Sequence, residues 1–301
     1  FQGKVSDALI EAGHEVVMLS PIMHGGLKNV TSKLARTIHV PQNDFTREYE
    51  QIQVATFTEH LWTVDQGNPF IFIEEFIDKH LVCQPMKNTT VYMVEACRET
   101  LQQSGLLESL RAEKFDGAFG EDLDPCGFGI FHLIGIRKFA ITQSTASLES
   151  SEITGVPAFP SFQPALMAMN GDEMTTRERL YNLRAVDAWG QTLDVIYDGV
   201  QRLFDDLYAD FPRLKDISKN ASYFFLNTEP LVDFPRLVSR KMIDIGGIAL
   251  PTTVHQLPEP LLGELSLRPR TVLISFGSVM LSHLMPERFK QSMRSLALAL
   301  P

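Results

Sequence analysis

Long apolar runs are missing from this chain. A bilayer-spanning helix needs roughly 18 to 20 consecutive apolar residues, and the longest candidate, Phe128 to Ile136, is short and interrupted by His132. These residues are therefore not expected to cross a membrane. Positive charge is also scarce: 27 Lys and Arg stand against 37 Asp and Glu, a formal net charge of −10. That balance repels nucleic-acid phosphate and anionic membrane surfaces unless a basic patch offsets it, and none is present, so no nucleic-acid partner is expected. Cysteine is rare as well. Cys83, Cys97 and Cys126 are too few for a disulfide framework and lack metal-ligand spacing, which leaves room for one bridge at most. There is no Walker A loop, no G-x-G-x-x-G between a strand and a helix, no H-E-x-x-H and no G-x-S-x-G. His24, His39, His60 and His80 form no i, i+4 pairs, so a metal site would need convergence from distant parts of the chain, and none is expected.

What is present describes a globular chain. At about 150 residues per domain, 301 residues make one large domain or two ordinary ones. Apolar residues at 44% and charged residues at 21%, with 19 Gly and 17 Pro, exclude collagen-like and low-complexity classes. Phe1 is not an initiator Met and no signal-like segment follows it, so an upstream piece is expected. Three Asn-x-Ser/Thr tripeptides, at Asn29, Asn88 and Asn220, fit either a lumenal glycoprotein or unmodified surface loops.

The periodicity reads as alternating helix and strand. Val5, Ala8, Leu9 and Ala12 line one face of a helix over Lys4 to Ala12, Gly13 supplies its left-handed stop, and Glu15 to Leu19 is a strand. His14 reads as a turn residue. Helical spacing returns over Thr89 to Ser104 and Gly105 to Lys114. Phe115 to Gly120 is then a strand, Pro125 to Leu133 a helix ended by Gly135, and Lys138 to Thr142 the next strand, which is one βαβ unit. Ser144 to Pro164 is an extended loop punctuated by prolines, and Thr175 to Phe211 forms one or two helices. Ser222 to Leu226 and Met242 to Ile245 are further strands. Gln256 to Arg270 has the composition of an interdomain connection. Beyond it, Thr271 to Phe276 reads as a strand, Gly277-Ser278 as a turn and Pro286 to Leu300 as a helix. One strand and one helix cannot close a domain, so a fragment of a longer protein is expected.

Two clusters could carry chemistry. Glu121, Asp122 and Asp124 fall at the C-terminal end of a strand entering a helix, the edge at which doubly wound sheets bind ligands. Such acids can orient a base or bind hydroxyl groups, or they can cap the helix. Capping suits Asp124, and Glu121 stays open. Ser275-Phe276-Gly277-Ser278 offers N–H groups and hydroxyls in an arrangement that accepts phosphate, or is an ordinary glycine turn.

In order along the chain, Phe115-Asp116, Glu121-Asp122, Pro125-Cys126-Gly127 and Gly129-Ile130-Phe131 resemble the acidic segment of the animal UDP-glycosyltransferases, the glucuronosyltransferase family, especially its nematode-type members. Gly155-Val156-Pro157 with Pro160-Ser161-Phe162 and Pro164 resembles the family's Gly-x-Pro…Pro-Ser-Tyr-x-Pro loop. Asp172-Glu173-Met174-Thr175 through Arg179 and Asn182, then Asn227 to Arg236, Ile245-Gly246-Gly247-Ile248 and Ser275-Phe276-Gly277-Ser278, complete a colinear series.

The resemblance implies an α/β fold of GT-B type: a Rossmann-like acceptor-binding domain with a parallel sheet over residues 1–265, and the first strand and helix of a second, UDP-sugar-binding Rossmann-like domain over residues 266–301. It implies transfer of a hexosyl or glucuronosyl group, with inversion, from a UDP-sugar to a hydroxyl of a small lipophilic acceptor, with no cofactor besides the donor and no metal. It places the general-base His ahead of Phe1, the partner acid at Glu121 with Asp122 as the near alternative, and donor contacts at Ser275, Gly277 and Ser278. The long donor signature and a membrane anchor belong beyond Pro301. Membrane association through that anchor, a lumenal position at the endoplasmic reticulum, and homo- or hetero-oligomers are further implications. The competing expectation is an inactive binding or assembly module of the same family.

Overall fold

The computed structural model describes residues 1–22, 31–50, 62, 83–145, 151–166, 168, 170–251, 253–254, 256–277 and 281–299. They divide into two compact units, residues 1–53 with 65–248 and residues 54–64 with 249–301.

In the larger unit, helix α1 (Gln2–Glu11) stops where Gly13 takes a φ of 93°. The His14 N–H then reaches back to Leu9 O at 3.0 Å and the Gly13 N–H to Ile10 O at 2.9 Å, a left-handed helix stop that an L side chain would strain. Strand β1 (Val17–Pro21) follows and pairs in parallel with β2 (Arg36–Val40), Val17 opposite Arg36. Buried Asp7 of α1 ties down the connection to β2, accepting from Ser32 Oγ at 2.5 Å and the Lys33 N–H at 2.9 Å. β1 lies two residues later than its apolar run suggests, and β2, with an exposed Arg36 and a half-exposed middle, carries no apolar run to announce it.

Helices α2 (Cys83–Gln102) and α3 (Leu106–Ala112) lead to a four-stranded parallel sheet. Its order is β3 (Ala118–Glu121), β4 (Phe139–Gln143), β5 (Tyr223–Leu226), β6 (Met242–Asp244). Every residue of β4 is buried, as a central parallel strand covered on both faces requires. Between β3 and β4 runs α4 (Pro125–Ile134), with Pro125 in its first turn and Gly135 at a φ of 90° ending it, as its sequence predicts.

The proline-rich stretch after β4 contains a short helix, α5 (Ser151–Thr154). It is followed by α6 (Thr176–Leu207), one uninterrupted helix of 32 residues opened by a reciprocal Thr175–Glu178 capping box. Short α7 (Leu214–Lys219) leads into β5. Gly129 of α4 and Gly199 of α6 permit close helix contact: a Cβ on Gly129 would fall 2.2 Å from the Phe204 ring, and one on Gly199 would fall 2.4 Å from Thr90 Cγ2. Phe128, Ile141, Val200, Leu203, Phe204 and Phe224 form the centre of the core. Through it runs a disulfide between Cys97 of α2 and Cys126 of α4, with the Cα atoms 5.8 Å apart.

In the smaller unit, α8 (Leu261–Ser266) lies in the stretch whose composition reads as a connection, and α9 (Glu287–Ala299) matches the expected final helix. Residues 271–276 are not in a strand. No strand lies beside them among the described residues, and Val272 and Leu273 are 69% and 68% exposed; β propensity alone holds no strand without a ladder. Buried Trp62 donates its indole N–H to Leu281 O at 3.2 Å and meets the Phe276 ring edge-on at 5.1 Å.

Candidate active site

The sheet register brings Glu121 and Thr142 side by side at the C-terminal ends of β3 and β4. The two oxygens of Glu121 are held differently. Oε1 accepts from both the N–H and the Oγ–H of Ser144, each at 3.0 Å, and Oε2 accepts from Gln2 Nε2 at 2.5 Å. Gln2 also donates to Thr142 Oγ1, whose hydroxyl in turn donates to Gly120 O at 2.9 Å. The first turn of α1 therefore sits over the ends of β3 and β4. Asp122 beside it also interacts with the Glu121 carboxylate through a side-chain hydrogen bond.

Asp122 is set apart from Glu121 by its surroundings. Its N–H donates to Thr142 O at 3.1 Å and its Oδ2 accepts from Gln143 Nε2 at 2.6 Å, while Oδ1 is buried with no partner. Burial first, and the Glu121 charge beside it second, push its carboxyl up to about 7. Asp124 occupies the N-cap position of α4, as its spacing suggests, and its side chain makes no capping hydrogen bond of normal geometry. Burial raises it to about 6, with the Cys126 and Gly127 N–H groups offsetting part of the effect. Beneath the acids, Tyr197 shares a hydrogen bond with Ser218 Oγ at 3.1 Å, and burial pushes its phenol well above the usual range.

Asn182, singled out by the family resemblance, is fully buried in α6 and clamps the proline-rich loop. Its Oδ1 accepts from the Ala165 N–H at 2.8 Å, and its Nδ2 donates to Pro160 O at 2.8 Å and Gln163 O at 2.7 Å. A cavity of about 220 Å³ opens beside this loop, between Pro164, Ala165 and Asn170 on one side and Phe234 and Arg236 on the other.

A family model described as "UDP-glucoronosyl and UDP-glucosyl transferase" matches residues 2–300. The chain belongs to this family. Its parallel sheets with alternating helices are the Rossmann-like α/β arrangement of GT-B proteins.

Among its relatives, the putative UDP-glucuronosyltransferase ugt-48 of Caenorhabditis elegans is 25% identical, over 92% of this chain and 51% of its own length. UDP-glucuronosyltransferase 1A3 of Rattus norvegicus is 27% identical, over 78% of this chain and 42% of its own. The putative UDP-glucuronosyltransferase ugt-56 of Caenorhabditis elegans is 29% identical, over 65% and 37%. The chain thus spans about half the length, or less, of these curated relatives. No solved structure matches it.

Of the residues that the family resemblance singles out, Glu121 and Asp122 lie at the sheet edge with Gln2, Thr142, Gln143 and Ser144 around them. None of those four stands out in the sequence. Ser144 had a usable signal, since the residue just after a parallel strand shares the ligand-facing edge with the end of its neighbour; Gln2 had none. Ser275 and Gly277, which the resemblance would make donor contacts, lie in the smaller unit, where Gly277 takes a φ of 73° and its N–H leans on Ser275 Oγ at 3.4 Å. Ser278 lies outside the described residues. Among the described residues no group of three or more His, Cys, Asp or Glu could hold a metal ion, and no helix is long and apolar enough to cross a membrane.

Proposed function

We propose that this chain carries the acceptor-binding part and the start of the donor-binding part of an inverting UDP-glycosyltransferase, divided near residue 265. It would move a hexosyl or glucuronosyl group from a UDP-sugar to a hydroxyl of a small lipophilic acceptor. The observation that carries this reading is Glu121: an acid at the C-terminal edge of a parallel sheet, held at both oxygens by donors from Ser144 and Gln2. A histidine, which the resemblance places ahead of Phe1, removes the acceptor proton as the oxygen attacks the anomeric carbon. Glu121 accepts that histidine's second N–H, fixes its tautomer and steadies the imidazolium that forms. The diphosphate leaves toward backbone N–H groups beside Gly277, whose left-handed φ lets the backbone approach closely. No metal and no cofactor besides the donor enters.

A lumenal position at the endoplasmic reticulum, anchored outside these residues, fits a buried disulfide, which persists in oxidising compartments, and an exposed Asn220 in a glycosylation tripeptide. Glu121→Gln in the full-length transferase tests the reading. It should lower kcat about 100-fold or more and leave UDP affinity within twofold, since the acid acts on the base and not on the nucleotide. Full activity of Glu121→Gln beside a crippled Asp122→Asn would move the role to Asp122.

A further inference from the structure

Glu121 is aimed by a relay that crosses three strand ends. Asn227, just past β5, donates its side-chain Nδ2 to Ser144 O at 2.9 Å and its backbone N–H to Gln143 O at 3.0 Å. Ser144, just past β4, is thereby held on its carbonyl side while its N–H and hydroxyl both point at Glu121 Oε1 on β3. Two donors from one residue on one carboxylate oxygen fix the rotation of the carboxylate as well as its position. Gln2 does less for orientation, because its single amide nitrogen is shared between Glu121 Oε2 and Thr142 Oγ1.

We infer that Ser144, steadied by Asn227, is a positioning residue of the transferase: it occupies Oε1 of Glu121 and so sets the rotation at which that carboxylate meets the base. This rests on the reading of Glu121 given above. A seryl hydroxyl that merely tidied the strand ends would satisfy its own backbone. Instead both of Ser144's donors converge on the acid, and its carbonyl is the group held from the next strand.

The test is a set of variants in the full-length transferase, assayed for kcat, KM for the UDP-sugar and thermal stability. Ser144→Ala removes the hydroxyl and keeps the N–H. It should lower kcat about tenfold or more, the size of one hydrogen bond to a charged group, while KM for the donor stays within twofold and the melting temperature falls by no more than about 6 °C. Ser144→Thr, which restores a hydroxyl, should recover most of the rate. Asn227→Ala should lower kcat in the same direction by a smaller factor, and it stands in should Ser144→Ala fold poorly. In a Glu121→Gln background, Ser144→Ala should cause no further loss, because the residue acts through the acid. Wild-type kcat in Ser144→Ala, or an equal further loss in the Glu121→Gln background, would overturn the inference while leaving Glu121 in its role. Full activity of Glu121→Gln would overturn both.

Discussion

Removing the disulfide should be a costly change in the larger unit that spares its sheet. Cys97 and Cys126 are separated by 29 residues, and closing a loop of that length lowers the entropy of the unfolded chain enough to stabilise the fold by about 3.6 kcal/mol. The enclosed segment contains α3, β3 and the three acids, so the bridge also fixes the start of α4 directly after them. A unit spanning residues 1–53 and 65–248 unfolds with an entropy of roughly 0.5 kcal/mol per kelvin. The double variant Cys97→Ala/Cys126→Ala should therefore melt about 7 °C below wild type. Dithiothreitol should lower wild type by about the same amount and leave the variant where it is. The assay is a calorimetric melt with and without reductant, beside peptide mapping for the linked Cys97–Cys126 fragment. If the linked fragment is present before reduction and lost after it, and the melting temperature does not move, the loop-entropy argument is refuted. If no linked fragment is found, the pairing itself is wrong.

The remaining predictions concern acids and packing. Asp122 and Asp124 have carboxyls raised to about 7 and about 6 by burial, so the folded chain keeps protons there that the unfolded chain releases near pH 4. Stability should fall as pH rises from about 4 to about 7. Asp122→Asn should flatten that slope in melts taken across the window, and an unchanged slope would remove Asp122 as its source. Asn182→Ala orphans one N–H and two carbonyls in a fully buried place and should cost about 3 kcal/mol or more in denaturant unfolding, at about 1–3 kcal/mol per stranded group. A loss below about 1 kcal/mol would show that water takes its place. Gly129→Ala drives a methyl into Phe204 and should cost about 1–3 kcal/mol, whereas Gly127→Ala, where a Cβ would meet nothing within 4 Å, should not destabilise. Equal melts for the two would refute the packing account.

Local signals were legible wherever the chemistry is local. Gly13 and Gly135 do stop their helices in left-handed turns, Pro125 does open α4, and the acids do end β3, because a φ above zero, a missing N–H or a run of apolar residues acts within a few positions of itself. The acid pair at a sheet edge was legible for the same reason: strand, turn and helix are consecutive. β2 was not, since a half-exposed edge strand is made by its neighbour β1 and not by its own composition. Nor was the fate of Thr271 to Phe276, which has the residues of a strand and, among the described residues, no partner to make it one.

The residues around Glu121 show where the division falls. That an acid stands at the end of a strand was determined by the sequence alone. That Ser144 lies 23 positions away and Gln2 lies 119 positions away, yet both donate to it, was decided by parallel register and by α1 crossing above the strand ends. Likewise, three cysteines set the limit of one bridge, and only the packing of α2 against α4 chose Cys97 and Cys126. Hydrogen bonds and disulfides reach a few ångströms, so distant parts of the chain become partners only once the sheet has brought them together.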